Sequence, residues 1–101
     1  MSARRVKWSV YMLRTASGAL YTGISTDVDR RFLQHTDGSG AKALRGRGPL
    51  TLVYRVAIGD RSAAQRVEYA LKSLAKIEKE AVVLTQPKRG RWMRADARRS
   101  R

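Results

Sequence analysis

The sequence predicts a single α/β domain in which a small, three-stranded, mainly antiparallel sheet is flanked by helices. Two short segments with strand periodicity lie within residues 9–23 and are joined by a turn. A third alternating segment covers residues 51–57, and helical patterns precede and follow it. A chain of 101 residues suits one domain with a modest core. We therefore expect the domain to cover residues 1–84 and a basic tail to cover residues 85–101.

Each strand of the predicted hairpin carries one tyrosine. Tyr11 lies on one of the two alternating faces of the first strand, and Tyr21 shares a face of the second strand with Gly23. The turn between them contains Gly18, which can take a positive φ at no steric cost. Pairing of the strands would bring the two phenols together on one face. A pair of tyrosines in a hairpin is more often structural than functional, so these residues alone favour a structural role.

A capping box at Thr26–Asp29 predicts a helix over residues 27–36. Asp27, Arg31 and His35 are spaced four residues apart, so they share one face of this helix. Taken singly, they favour an exposed Asp27–Arg31 ion pair and a solvated His35 in the last turn, where a cation suits the helix dipole.

Residues 37–49 are predicted to form a loop with four glycines and three cations, Lys42, Arg45 and Arg47. It is not a P-loop, because no Gly-Lys-Ser/Thr opens a helix. Its cations are candidates for binding a phosphate backbone, and a solvated connection is the alternative. The strand that follows, over residues 51–57, is predicted to place one apolar set on a single face: Leu52, Tyr54 and Val56.

The clearest helical pattern follows a capping box at Ser62–Gln65. Its apolar stripe has helical spacing and consists of Ala63, Val67, Ala70, Leu71 and Leu74. Glu68 borders this stripe and Lys72 follows it at i+4, which predicts an intrahelical ion pair. Alternatively, a carboxylate at the margin of an apolar face suits a hard cation in a cleft, with Lys72 contacting nucleic acid. A short third helix is predicted over residues 77–84.

The charge of the chain indicates a polyanionic partner. Lys and Arg number 22 against 8 Asp and Glu, so the formal net charge is +14. The expected partner is nucleic acid, with DNA preferred over RNA. An acidic membrane surface fits less well, because no basic stretch has a matching wide apolar face. The predicted tail adds three candidate contacts with phosphate: Lys88, Arg89 and Arg91.

Several classes of protein are excluded by what the sequence lacks. The chain has no cysteine, which excludes disulfide scaffolds and zinc sites built on thiolates. No apolar run approaches the length of a membrane span, and the first residues lack the apolar core of a signal peptide. We expect a monomeric cytoplasmic protein without a membrane partner.

The hairpin and the helices together resemble a known nuclease family. Ser9–Tyr11 and Tyr21–Gly23 are similar to the two halves of the GIY-YIG signature, with serine in place of the first glycine. Arg31 lies ten residues after the second tyrosine, where the family has its helix arginine, and His35 matches a frequent histidine four residues later. Glu68 falls where the family places its metal-binding glutamate. The resemblance covers most of the chain and is greatest to small stand-alone bacterial members.

This resemblance implies hydrolysis of phosphodiester bonds with Mg²⁺ or Mn²⁺ as cofactor. Glu68 would bind the metal, which acts as a Lewis acid, and Arg31 would stabilise the charge of the transition state. Tyr11 or Tyr21 would orient or deprotonate the attacking water, and His35 could replace them or relay the proton. These five residues are the implied catalytic set.

The resulting prediction is a metal-dependent DNA endonuclease of repair or nucleic-acid processing. Because no specificity domain accompanies the predicted nuclease fold, we expect structure preference or low sequence specificity. The alternative is a non-catalytic protein that binds DNA, or RNA on the ribosome, and retains the nuclease fold. The chain has no asparagine, although many members carry one after the glutamate.

Overall fold

The computed structural model describes residues 6–88, which form one three-stranded sheet and three α-helices. In chain order these elements are β1 (Trp8–Arg14), β2 (Leu20–Ser25), α1 (Val28–Asp37), β3 (Thr51–Gly59), α2 (Arg61–Lys72) and α3 (Lys76–Thr85), with one 3₁₀ turn at Lys42–Leu44. The sheet order is β2-β1-β3 and both pairings are antiparallel. The predicted fold class is confirmed. No helix within residues 6–88 is long and apolar enough to span a membrane.

The central strand β1 is buried on both faces, because a layer of helix or loop covers each side of the sheet. Val10 and Met12 face a core shared with α2 and α3, whereas Tyr11 and Leu13 face a second core shared with α1. The turn between β1 and β2 has Gly18 at φ 94°, as its position in the hairpin predicts. The alternation read from the sequence therefore assigns the faces of the hairpin correctly.

The predicted face of β3 is wrong at one position. Met12 pairs with Tyr54 but the next residue, Leu13, pairs with Leu52, so Val53 is an extra residue at a β-bulge. Tyr54 and Val56 pack against the core under α2, whereas Leu52 packs on the opposite side against the core under α1. A bulge shifts the alternation by one residue, and strict periodicity cannot anticipate this shift.

Helix α1 begins one residue later than predicted and uses a different cap. Asp27, rather than Thr26, is the N-cap, and its carboxylate accepts a hydrogen bond from the Arg30 amide at 3.1 Å. The predicted capping box fails because the Asp29 carboxylate is paired with Arg55 on β3, at 2.8 Å. An aspartate at this position both caps the amides and complements the helix dipole.

Helix α2 also has an aspartate cap. Asp60 accepts a hydrogen bond from the Ala63 amide at 2.8 Å, two residues before the predicted cap at Ser62. The Ser62 hydroxyl instead contacts the Arg66 guanidinium at 3.0 Å. The predicted capping box at Ser62–Gln65 is therefore wrong, although the helix itself is confirmed.

The residues after α3 are attached to the sheet. The Gln86 amide donates to the Val53 carbonyl at 2.8 Å, and the Tyr54 hydroxyl donates to the Pro87 carbonyl. Helix α3 ends at Thr85, one residue after the predicted end of the domain. The division into residues 1–84 and 85–101 stays a prediction. Lys88 is exposed, and the predicted contacts Arg89 and Arg91 lie outside the described residues.

Candidate active site

Three aromatic rings meet on the α1 side of the hairpin. The ring centroids of Tyr11 and Tyr21 are 6.4 Å apart, and that of His35 lies 5.9 Å from Tyr11 and 5.5 Å from Tyr21. The Tyr11 hydroxyl is 2.7 Å from His35 Nε2. Tyr11 is 1 % exposed and His35 is 3 % exposed, so the predicted alternative of a solvated His35 is wrong. Residues from β1, β2 and the end of α1 thus form one buried cluster.

The glycine of the second tyrosine motif leaves room for Tyr11. Gly23 is the direct cross-strand partner of Tyr11. A Cβ at Gly23 would lie 2.5 Å from the Tyr11 hydroxyl oxygen and 2.7 Å from Cζ, distances that no side chain tolerates without movement. The Tyr11 ring therefore lies across the backbone of β2 at the one place without a side chain. This close approach, rather than a special φ, explains why a glycine stands here.

We expect Gly23→Ala to destabilise the protein by about 1–3 kcal/mol, the usual cost of overpacking a core. The added methyl must displace the buried Tyr11 ring and break its contact with His35. Gly48→Ala is the matched control, because its Cβ would meet only Leu50 N at 3.7 Å. Chemical denaturation of both variants measures the difference. Equal stabilities would show that Tyr11 does not depend on Gly23.

The backbone after α1 positions His35. The Ala41 amide donates to Nδ1 of His35 at 3.1 Å. Gly40 packs against the same ring, since a Cβ there would collide with Nδ1 and would lie 2.9 Å from the His35 Cα. Sequence reasoning missed both residues; the only signal was a second glycine two residues after Gly38, the helix C-cap.

This contact assigns the neutral tautomer of His35. A backbone amide can only donate, so Nδ1 must be unprotonated and the ring proton sits on Nε2. His35 Nε2 therefore donates to the Tyr11 hydroxyl oxygen. In this state His35 cannot take a proton from Tyr11, whose own hydroxyl proton must point elsewhere.

Burial, and secondarily the charge of Arg31, lowers the pKa of His35 below its usual range. As the pH falls, His35 therefore becomes protonated in the unfolded chain before it does so in the folded protein. We expect the free energy of unfolding to be constant between about pH 7 and 9 and to fall as the pH drops below about 6.5, the pKa of an unperturbed histidine. Denaturation at several pH values checks this window. His35→Gln should lose the dependence there, since Asp29 and Glu80 have lowered pKa values and matter only at lower pH.

Burial raises the pKa of Tyr11 to about 12, and the nearby Tyr21 and Glu68 add to the rise. Hydrogen bonding and charge from the Arg31 guanidinium oppose it. Arg31 also donates to the Gln34 side chain at 3.0 Å, and it forms no ion pair with Asp27. Arg31 and Glu68 are thus close enough to Tyr11 to act on its charge.

Glu68 and Lys72 form the intrahelical pair that their spacing predicts. Lys72 Nζ is 3.2 Å from the Glu68 carboxylate, and the Glu68 side chain is 23 % exposed. Within residues 6–88 no three His, Asp or Glu side chains are grouped to hold a metal ion. A single hard carboxylate suits Mg²⁺, which keeps several waters in most protein sites. Glu68 thus offers one hard oxygen ligand of the type that Mg²⁺ or Mn²⁺ prefers, and Lys72 competes for it.

The predicted phosphate-binding loop lies next to the cluster. Its three cations are exposed: Lys42, Arg45 and Arg47. The Arg45 guanidinium donates to the Gly38 carbonyl at 3.2 Å, and Leu44 is buried beside Tyr11 and Leu13. The loop is therefore packed at its centre by Leu44, with its cations directed to the surface.

Comparisons with known proteins identify the family of this chain. The family described as the GIY-YIG catalytic domain matches residues 7–81. UPF0213 proteins of Yersinia pestis (strain Pestoides F) and Yersinia pseudotuberculosis (serotype O:3, strain YPIII) are each 59% identical over 81 residues, which cover 80% of this chain and 85% of each relative. The solution NMR structure of a UPF0213 protein from Bacillus halodurans is 44% identical with a TM-score of 0.52, covering 79% of this chain and 86% of that one. The match confirms the resemblance seen in the paired tyrosine motifs, and the chain belongs to the GIY-YIG family.

Proposed function

We propose that this protein is a divalent-metal-dependent endonuclease that hydrolyses DNA phosphodiester bonds in DNA repair or processing. The observation that carries the proposal is the environment of Tyr11: its hydroxyl contacts His35 Nε2 at 2.7 Å, the Tyr21 ring lies 6.4 Å from its own, and the charges of Arg31 and Glu68 act on its pKa. The family is a nuclease family defined by a catalytic domain, which supports nucleic-acid binding in general. Most of these groups are buried or partly buried beside edge strand β2, where a phosphate can approach.

Tyr11 is our candidate for the general base. Its oxygen accepts a hydrogen bond from His35 Nε2, and Arg31 lowers the pKa of Tyr11, although burial outweighs this effect and raises the pKa to about 12. In this scheme His35 positions the Tyr11 hydroxyl and does not act as a base. Its Nδ1 accepts from the Ala41 amide and its Nε2 carries the ring proton, so neither nitrogen can take a proton from Tyr11. Tyr11 must therefore lose its own proton before it can accept one from water. Tyr21, on the same face, would orient that water.

Arg31 would clamp the negative charge that develops on the phosphate oxygens, since its guanidinium stays protonated and presents several donors in a plane. A Mg²⁺ or Mn²⁺ ion bound through Glu68 would supply Lewis-acid stabilisation of the phosphate and the leaving oxygen. The residues of the chain hold the phosphate, orient the water and remove its proton.

The proposed substrate is DNA recognised by structure or with low sequence specificity. The net charge of +14 favours contacts with the phosphate backbone, which carry no sequence information. Lys42, Arg45 and Arg47 are proposed to make such contacts beside the cluster, with Lys72 and Lys88 elsewhere on the surface. The monomeric state and the cytoplasmic location stay predictions.

Incubation with labelled single-stranded, duplex, flapped and branched DNA, and with RNA, tests the proposal. Cleavage is expected with Mg²⁺ or Mn²⁺ and not in chelator. Binding without cleavage of any substrate under either metal would favour the alternative, a non-catalytic nucleic-acid-binding protein that retains the nuclease fold. Cleavage of RNA alone would replace DNA by RNA as the substrate and leave the proposed active site unchanged.

We expect Arg31→Ala to lower the single-turnover rate by about 10²-fold or more, as on removal of one preorganised donor. Arg31→Lys should be nearly as slow, because an ammonium cannot reproduce the planar fork. Arg30→Ala is the matched control, since Arg30 is the neighbouring, exposed arginine of the same helix. Equal rates in the Arg31 and Arg30 variants would remove Arg31 from the site.

A further inference from the structure

A groove of about 560 Å³ lies at the tip of the hairpin, away from the aromatic cluster. One wall is the turn between β1 and β2, including Gly18 and Leu20, and the other is the first two turns of α3. The α3 wall presents Lys76, Lys79 and Glu80. The groove is open to solvent, and no residue of the implied catalytic set lines it.

A network of ion pairs holds the two walls together. Both Nη atoms of Arg14 donate to the Glu80 carboxylate, at 2.8 and 2.7 Å. Lys76 Nζ donates to the Gly18 carbonyl at 2.7 Å and lies 3.1 Å from Glu80. Arg14 and Lys76 lower the pKa of Glu80 to about 2, so its single negative charge faces two cations. Lys79 also lines the groove, so three cations stand near one carboxylate and the groove has a surplus of positive charge.

The groove and the candidate active site share one strand. Leu20 lines the groove, and Gly23, three residues further along β2, lies under the Tyr11 hydroxyl. At about 3.3 Å per residue the two places are offset by about 10 Å along β2. Leu20 packs on the α2 and α3 side of the sheet and Tyr11 on the α1 side, but β2 is an edge strand, so a ligand can pass around it from one face to the other. Lys72 stands beside Glu68, and Lys76 begins α3 four residues later, which continues the positive charge toward the groove.

We propose that this groove binds the phosphate backbone of the DNA strand that adjoins the cleavage position, with Lys76 and Lys79 contacting phosphate. At an axial rise of about 3.4 Å per nucleotide, the offset of about 10 Å along β2 places the groove at least about three nucleotides from the scissile phosphate. The position of that phosphate rests on the function proposed above; the binding of DNA in the groove does not. The bound DNA strand would therefore run along β2 from the candidate active site toward the hairpin tip.

Lys79→Ala tests the groove, with binding measured in chelator so that no cleavage is needed. On duplex DNA the slope of log K against log[salt] should fall by about 0.9 for one lost phosphate contact. Lys7→Ala is the matched control: it removes the same charge from an exposed lysine before β1, at the far end of the sheet. Lys76→Ala should act like Lys79→Ala, with its melting temperature reported because Lys76 also holds the turn.

Backbone amide shifts provide a second readout. On titration of the full chain with a short DNA duplex, the amides of Gly18 and Ala19 should shift in the wild type and much less in Lys79→Ala. Equal salt slopes for Lys79→Ala and Lys7→Ala, or unshifted turn amides in bound protein, would overturn the proposal, as would absence of DNA binding. A protein that binds through the groove and cuts nothing would keep this site and reject the nuclease function.

Discussion

Glu68→Gln is expected to abolish metal-dependent cleavage, with a loss of at least about 100-fold, because a bound Lewis acid supplies several kcal/mol. Glutamine keeps the size and most of the helix propensity but lacks the negative charge that a hard cation needs. Binding of DNA in chelator should be unchanged or tighter, because a carboxylate facing phosphate is removed. Single-turnover cleavage and binding isotherms measure the two effects separately.

Lys72→Ala complements Glu68→Gln, because it removes the ion-pair partner of Glu68 and keeps the carboxylate. Lys72 pairs with Glu68 at 3.2 Å, so its removal frees the carboxylate without changing it. Cleavage should persist and reach half its maximal rate at a lower metal concentration. If the pair is only an exposed i,i+4 ion pair, either change should cost at most about 0.5 kcal/mol of stability. Full activity of Glu68→Gln would then exclude the proposed metal site, and Asp27 and Asp29 would be the next carboxylates to test.

Tyr11→Phe should lower the single-turnover rate by about 10²–10⁴-fold, the usual contribution of a general base. Because the pKa of Tyr11 is raised to about 12, the wild-type rate should rise with pH across about pH 6 to 9. The phenylalanine variant should lose this dependence. A decline of the wild-type rate above about pH 7 would contradict a tyrosine base.

The same substitution should also affect stability. His35 Nε2 donates to the Tyr11 hydroxyl, so Tyr11→Phe leaves a buried donor unpaired at a cost of about 1–3 kcal/mol. Rates must therefore be compared well below the melting temperature of the variant. Tyr21→Phe is the comparison variant, since it removes the other phenol from the same face, and it should lose less rate because Tyr21 only orients the water. Equal small losses from both, with a large loss from His35→Ala, would assign the base to His35.

Only part of the candidate active site was predicted from the sequence. Hydrophobic periodicity predicted the hairpin, the common face of Tyr11 and Tyr21, and the helix carrying Arg31 and His35. It did not distinguish a catalytic pair from two structural tyrosines, and the resemblance to a family of nucleases supplied that interpretation. The Glu68–Lys72 pair followed from i,i+4 spacing, because this interaction depends only on neighbours within one helical turn.

The sequence by itself determined the order of elements, the alternation along β1 and the excess of positive charge, because each depends on residue type or local spacing. Only the tertiary structure decided the β-bulge at Val53, which depends on how β3 pairs with β1. It also decided the burial and tautomer of His35, which accepts from Ala41 and donates to Tyr11, 24 residues away in the chain. Such contacts join distant segments whose approach is set by packing, and no local pattern encodes them.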